Sequence, residues 1–192
     1  KKLKLVRKEE YNYQYWNDLG AAFFAIKDFD NALKCYTMGE QNMPHNYFSM
    51  INIGVCYNLK RDYVSATVSY LRAIIYHPEK HKLWNNLANI YFQAKKKDQG
   101  FITMQKAIEL APEITYHYPT LAYHYLLAGM VDESYEITKT DIRRGNSHSS
   151  YLNKAAYHLI KGEKEEALHC YARSYFAFKN PDGFWSDFNS DF

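Results

Sequence analysis

A recurring interval of about 34 residues is the feature of this chain that most constrains its fold. The first copy holds apolar and small residues at Trp16, Leu19, Gly20, Phe23, Ala32, Tyr36 and Pro44. The second copy holds the same classes at Met50, Ile53, Gly54, Tyr57, Ala66, Tyr70 and Pro78. The third holds Trp84, Leu87, Ala88, Tyr91, Gly100, Met104 and Pro112. An interval kept three times without insertion predicts a chain of stacked structural repeats.

Each copy has the pattern of two helices packed as a hairpin. Leu19 and Phe23 are four residues apart, so they share one helical face. A small residue such as Gly20 indicates that the two helices cross closely. Pro44 follows the second helix, because a residue without an N–H cannot continue the helical hydrogen bonds. One hairpin cannot bury its own apolar face, so we expect successive hairpins to stack.

The last two copies are less regular. The fourth keeps Tyr118, Leu121, Ala122 and Tyr125, and the fifth offers Leu152, Ala155, Ala156 and Leu159. The second helix of the fifth copy begins one residue early, which predicts a shortened turn near Gly162. We expect repeats at 13–46, 47–80, 81–114, 115–148 and 149–181. They form a repeat domain over 13–182, between a basic leader at 1–12 and an aromatic, acidic tail at 183–192.

This pattern resembles that of the tetratricopeptide repeat family. The resemblance implies an all-α fold, a right-handed superhelical solenoid of about five stacked helix-turn-helix hairpins. It also implies a concave groove lined mainly by the first helix of each pair. The corresponding function is that of a protein-interaction scaffold or adaptor, which binds a partner protein or an extended peptide in the groove without catalysis.

Family groove positions 2, 5, 6, 9 and 12, transferred to this sequence, predict a partner-binding set. From these positions we select Asn17, Phe24, Phe48, Asn52, Lys82, Asn85, Asn86, Asn89, Phe92, Tyr116, Tyr123 and Tyr157. Side-chain amides both donate and accept, so the asparagines can pair with the backbone of an extended peptide. They partly resemble the asparagine ladder of the O-linked N-acetylglucosamine transferase repeats; the alternative is that they only face water. The aromatics supply contact area, unless some pack between repeats.

The carboxylate clamp of chaperone-binding family members is incomplete here. Asn17, Ala21 and Asn86 stand where that clamp has Lys, Asn and Arg, and only Asn52 and Lys82 match it. An acidic tail would lose most of its charge-assisted hydrogen bonds. We therefore expect a ligand other than an acidic chaperone tail.

Composition argues against several other classes of protein. A net charge of +3 without a concentrated basic face argues against nucleic-acid binding. The chain lacks an apolar run of about 18 residues, the length that a membrane span needs, so we expect no membrane insertion and favour a cytoplasmic location. However, the chain begins without Met, so a targeting signal could have been lost. Three widely spaced cysteines suggest neither disulfides nor a zinc site, and we expect no cofactor.

No catalytic motif accompanies these features, and the eight histidines form no ligand set, so we do not expect an enzyme. Two alternative functions and the role of the tail remain open. The chain could be a regulatory or targeting domain of a larger enzyme or assembly, or, less favoured, a helical-repeat RNA binder. The tail could cap the last hairpin, or act as a recognition motif that mediates self-association through a groove.

Overall fold

The computed structural model describes residues 12–143 and 148–179, with side chains as far as Tyr175. Residues 1–11 of the predicted leader and the whole predicted tail lie outside the described residues. Within these ranges the chain forms ten α-helices and no strand. They are α1 (Tyr13–Ala25), α2 (Phe29–Asn42), α3 (Tyr47–Leu59), α4 (Tyr63–Tyr76), α5 (His81–Gln93), α6 (Lys97–Leu110), α7 (His117–Leu127), α8 (Val131–Arg143), α9 (His148–Lys161) and α10 (Lys164–Lys179).

The helices pack as consecutive pairs, which confirms the predicted all-α fold of stacked hairpins. The chain divides into two compact units at Leu110. In the first unit, α1 to α6 form three hairpins, and each hairpin packs on the next. In the second unit, α7 to α10 form two hairpins, which meet through contacts of α9 with α7 and α8.

Helix starts repeat as regularly as the apolar residues do. Asn12 and Asn46 cap α1 and α3, their side-chain oxygens accepting backbone N–H groups three residues on. Asp28 and Asp62 cap α2 and α4 in the same way. The pKa of both carboxyl groups is lowered, mainly by hydrogen bonds from the residues three positions on, Asn31 and Ser65.

One turn geometry joins the two helices of every hairpin. A residue with φ between 60° and 81° follows each first helix, at Lys27, Arg61, Lys95, Gly129 and Gly162. Its N–H and the next N–H donate to carbonyls three and five residues back, which satisfies the last turn of the helix. These turns are evenly spaced as far as Gly129, and the interval from Gly129 to Gly162 is one residue shorter than the others.

Helix pairs cross closely where an aromatic ring faces a glycine. A Cβ atom added to Gly54 would lie 2.7 Å from Cζ of Tyr70, well inside van der Waals contact. Tyr70 in turn belongs to a buried cluster with Met50, Leu83 and Leu87, so side chains of α3, α4 and α5 share one core. This confirms the sequence-based interpretation that small residues mark close crossings.

Candidate binding groove

The second unit carries an open groove between α7 and α9, with a volume of about 730 Å³. None of the side chains that line it carries a charge. The groove is therefore suited to apolar groups and neutral hydrogen-bonding partners. Its lining residues are Tyr116, Pro119, Thr120, Tyr123, Leu126, Leu127, Ser149, Leu152, Asn153 and Ala156.

The two predicted aromatics of the fourth repeat lie on this surface. Tyr116 is 44% exposed and Tyr123 is 51% exposed, so both present much of their rings to solvent. Partial burial raises the pKa of Tyr116 above its ordinary value of 10, and its hydroxyl, protonated at neutral pH, can donate a hydrogen bond. Both side chains can contact a ligand in the groove.

Polar contacts between repeats hold the groove walls in place. Asn153 is buried, and its Nδ2 donates to the carbonyl oxygen of Pro119 at 3.0 Å, which ties α9 to α7. At the start of α7, the hydroxyl of Tyr118 donates to the carbonyl of Pro112 at 2.8 Å. Trp84 makes the equivalent bond to Pro78 in the first unit, also at 2.8 Å. Of these three residues Asn153 lines the groove, and its side chain is fixed by the bond to Pro119.

The fifth repeat differs by one residue from the sequence-based expectation. Its turn at Gly162 has the same backbone bonds as the others, so the predicted shortened turn there is wrong. The missing residue lies earlier, between the turns at Gly129 and Gly162. Leu159, expected to be a packing residue, is 61% exposed, whereas His158 is buried.

This shift moves Tyr157 out of the groove. Ala156 lines the groove at the corresponding position. The ring of Tyr157 instead stacks on Tyr135 of α8, with centroids 4.1 Å apart and planes 17° from parallel. The predicted set contains only Tyr116 and Tyr123 of the ten lining residues, and four of the others lie outside the transferred family positions: Leu127, Ser149, Leu152 and Ala156. The shorter interval between the last two turns is the signal that would have found Ser149 and Leu152.

Three of the residues selected in the first unit are buried, contrary to expectation. Asn17 exchanges hydrogen bonds with the hydroxyl of Ser49, at 3.0 and 3.3 Å, and so joins α1 to α3. Asn85 and Phe92 are buried as well. The ring of Phe92 packs against Phe101 of α6, with centroids 5.3 Å apart. Their burial removes all three from the exposed surface of the unit.

The other selected residues of the first unit are at least partly exposed. Phe48 and Lys82 are exposed, and Asn52, Asn86 and Asn89 are half-buried. The side chain of Asn86 is hydrogen-bonded to the buried hydroxyl of Tyr70, which gives it a structural role. Phe24 is also half-buried and packs edge-on against Phe29, with centroids 5.6 Å apart. The binding role of these residues stays a prediction.

A serine–histidine pair lies in the second unit, and neither of its residues lines the groove. Oγ of Ser174 is 2.7 Å from Nδ1 of His148, but Ser174 is buried and the same nitrogen also lies 2.8 Å from the carbonyl of Ser174. A substrate has no access to this hydroxyl.

Across residues 12–143 and 148–179, no group of three or more His, Cys, Asp or Glu side chains is arranged to hold a metal ion. Of the helices described, none is long and apolar enough to cross a membrane.

Comparison with known proteins agrees with the fold of stacked helical hairpins. The family model described as "Tetratricopeptide repeat" matches residues 81–114, the range of the third predicted repeat. No curated protein sequence gives a match. A crystal structure of MamA is similar with a TM-score of 0.73 at 19% identity, covering 85% of this chain and 96% of that one.

Two other similar structures are described by their peptide binding. YrrB, "a TPR protein with an unusual peptide-binding site", has a TM-score of 0.65 at 16% identity, covering 96% of this chain and 95% of its own. The first TPR of Spaghetti (RPAP3), bound to the HSP90 peptide SRMEEVD, has a TM-score of 0.57 at 18% identity, covering 61% and 93%. Residues 81–114 thus match the tetratricopeptide repeat model, and the described chain shares the fold of these solved structures.

Proposed function

We propose that this chain is a non-catalytic protein-interaction scaffold or adaptor that holds an extended, uncharged segment of a partner protein. The segment binds in the groove between α7 and α9. One observation carries the proposal: the groove is lined by ten side chains without a charge, and it exposes the rings of Tyr116 and Tyr123. Binding to such a surface is favoured mainly because apolar area of the groove and of the ligand is removed from water.

The groove also offers neutral hydrogen-bonding groups to a peptide backbone. The hydroxyls of Tyr116, Tyr123 and Ser149 can each donate or accept. An extended peptide brings unpaired N–H and C=O groups, and these groups need partners once water is excluded. Aromatic and aliphatic side chains of the peptide would then fill the space beside Leu126 and Leu152.

An acidic peptide is a poor ligand for this groove. A carboxylate would lose hydration without gaining a Lys or Arg partner from the lining residues. The peptide bound to the RPAP3 repeat, SRMEEVD, is acidic. We therefore propose a shared fold and a different ligand class.

Four of the partner-binding residues predicted in the first unit, all exposed or half-buried, are proposed as a second contact surface. Asn52 and Asn89 offer amides, Lys82 a cation and Phe48 an exposed ring. The residues Asn17, Asn85 and Phe92 are left out of this surface because they are buried. A partner that reaches this surface would pair its backbone with the amides.

A selection of random peptides displayed on phage, with the intact chain immobilised, tests the proposed ligand class. We expect the enriched peptides to be neutral and to carry two or more aromatic or aliphatic residues. Peptides with the composition of SRMEEVD serve as the comparison. Enrichment of acidic peptides would show that the groove is not the main binding surface.

A further inference from the structure

Helix α4 carries an apolar stripe on its solvent-exposed face. Val64, Val68, Leu71 and Ile75 are 76%, 53%, 42% and 73% exposed. Their spacings of four, three and four residues place them along one side of the helix, as in the seam of a coiled coil. Four exposed apolar side chains in one line form a surface suited to another helix.

The second helices α2, α6 and α8 show that the fold does not require this stripe. The equivalent positions of α2, one repeat earlier, are polar and exposed: Asp30, Lys34, Thr37 and Gln41. Seven of the eight equivalent positions in α6 and α8 are also polar, Ile102 being the exception. Because α2 packs on α3 as α4 packs on α5, stacking of the hairpins does not need the stripe, and we assign it to another contact.

We propose that the stripe is a dimerisation surface, on which α4 of a second copy of this chain packs antiparallel. The four stripe residues have the same spacings, four, three and four residues, when counted from either end of the helix. A two-fold axis between residues 69 and 70 therefore brings Val64 against Ile75 of the second copy, and Val68 against Leu71. This is the isologous arrangement that most homodimers use.

The charges around the stripe are compatible with such a pair. Ser65 and Thr67 flank it without charge, and the Arg72 guanidinium is held by Glu40 of its own chain at 2.6 Å. Under the same two-fold axis, Arg72 faces Thr67 and not another cation. The two helix dipoles also oppose each other favourably in the antiparallel arrangement.

The size of the surface indicates a weak dimer. Helix α4 has 14 residues and is therefore about 21 Å long. One seam of this length lies at the low end of protein interfaces, where association is reversible and depends on concentration.

Sedimentation velocity of the intact chain, from about 5 to 500 µM, tests the proposal because a weak dimer dissociates on dilution. We expect a monomer–dimer equilibrium, and we expect Val68→Lys and Ile75→Lys each to raise the dimer Kd by at least about tenfold. Leu159→Arg, on α9, replaces an exposed apolar residue outside the stripe and should leave the Kd unchanged. A chain that stays monomeric throughout, or a dimer that both α4 variants leave intact, would overturn the proposal.

Disulfide trapping tests the antiparallel arrangement. A mixture of Val64→Cys and Ile75→Cys chains should form the cross-linked dimer several-fold faster than Val64→Cys alone, whose two cysteines would be about 16 Å apart. The native thiols give little background, because Cys35, Cys56 and Cys170 are buried. Equal trapping in the mixture and in Val64→Cys alone would contradict the arrangement.

Discussion

The ring of Phe92 lies so close over Gly100 that a Cβ atom on Gly100 would be 2.5 Å from Cε1 of the ring. The second repeat has the same contact with the helices exchanged, since there the glycine, Gly54, is in the first helix and the ring, Tyr70, is in the second. Each of these hairpins thus needs one ring and one glycine where its helices cross. This explains why Phe92, which the sequence placed in the groove, is a packing residue.

Substituting Gly100 should destabilise the chain. We expect Gly100→Ala to lower the free energy of unfolding by about 1–3 kcal/mol, because the methyl group meets the packed ring. On an exposed helix the same change would instead stabilise by roughly 1 kcal/mol. Urea denaturation followed by circular dichroism measures the difference.

The double variant Phe92→Leu/Gly100→Ala supplies the control. With a smaller side chain at position 92, the added methyl group should cost much less than it does beside the ring. Additive effects of the two substitutions would show that the contact is not responsible.

Removing the hydroxyl of Ser49 should also lower stability. Ser49→Ala leaves the buried amide of Asn17 without this partner, at an expected cost of about 1–3 kcal/mol in the free energy of unfolding. Thr37→Ala, on the exposed face of α2, should change stability by no more than about 0.5 kcal/mol. Equal unfolding midpoints for the two variants would contradict the structural role of Asn17.

Stability should fall in mild acid because of His124. Burial lowers the pKa of His124 below its ordinary value of 6.5. Between the two pKa values the unfolded chain binds more protons, so this contribution to stability is lost as pH falls below about 7 and levels off under the folded pKa. Urea midpoints at pH 7.5 and 5.5 should differ less in His124→Gln than in the wild type. An unchanged difference would exclude His124 as the cause.

The three thiols should react slowly in the folded chain. All are buried, and burial raises the pKa of Cys56 to about 11, so little thiolate exists at pH 8. Ellman's reagent should modify them at least tenfold more slowly than it does in urea. A fast native phase of one thiol equivalent would show that one of these sites opens readily.

The regular repeats made most of the fold predictable from sequence. Trp16, Met50 and Trp84 recur at one offset, and the helices of the first three repeats begin and end where that offset predicts. The predicted position of the fifth repeat was wrong by one residue, because the fourth repeat lacks two of the usual markers. Thr138 stands where earlier repeats have a large apolar residue, and Asp141 stands where they have a small one. Without those markers, the remaining signal was the shorter interval between Gly129 and Gly162, and the backbone bonds at Gly162 show that the turn itself is not shortened.

The candidate groove was predictable in part. Tyr116 and Tyr123 follow directly from the family positions, and both lie on the groove. Burial of Asn17 and Phe92 could not be read from those positions, because it depends on partners in other helices, Ser49 and Gly100. The exchange of ring and glycine in the third repeat left two clear sequence signals. Gly100 stands in place of Ala32 and Ala66, and Met104 stands in place of Tyr36 and Tyr70.

The most direct test of the proposed groove is the affinity of a selected neutral, aromatic peptide for two arginine variants, measured by fluorescence anisotropy. Tyr123→Arg places a charge in the groove and should raise the Kd by at least about tenfold. Ile102→Arg places the same charge on an exposed apolar position of α6 that does not line the groove, and it should change the Kd by less than about twofold. Equal affinities of the wild type and Tyr123→Arg would contradict the account.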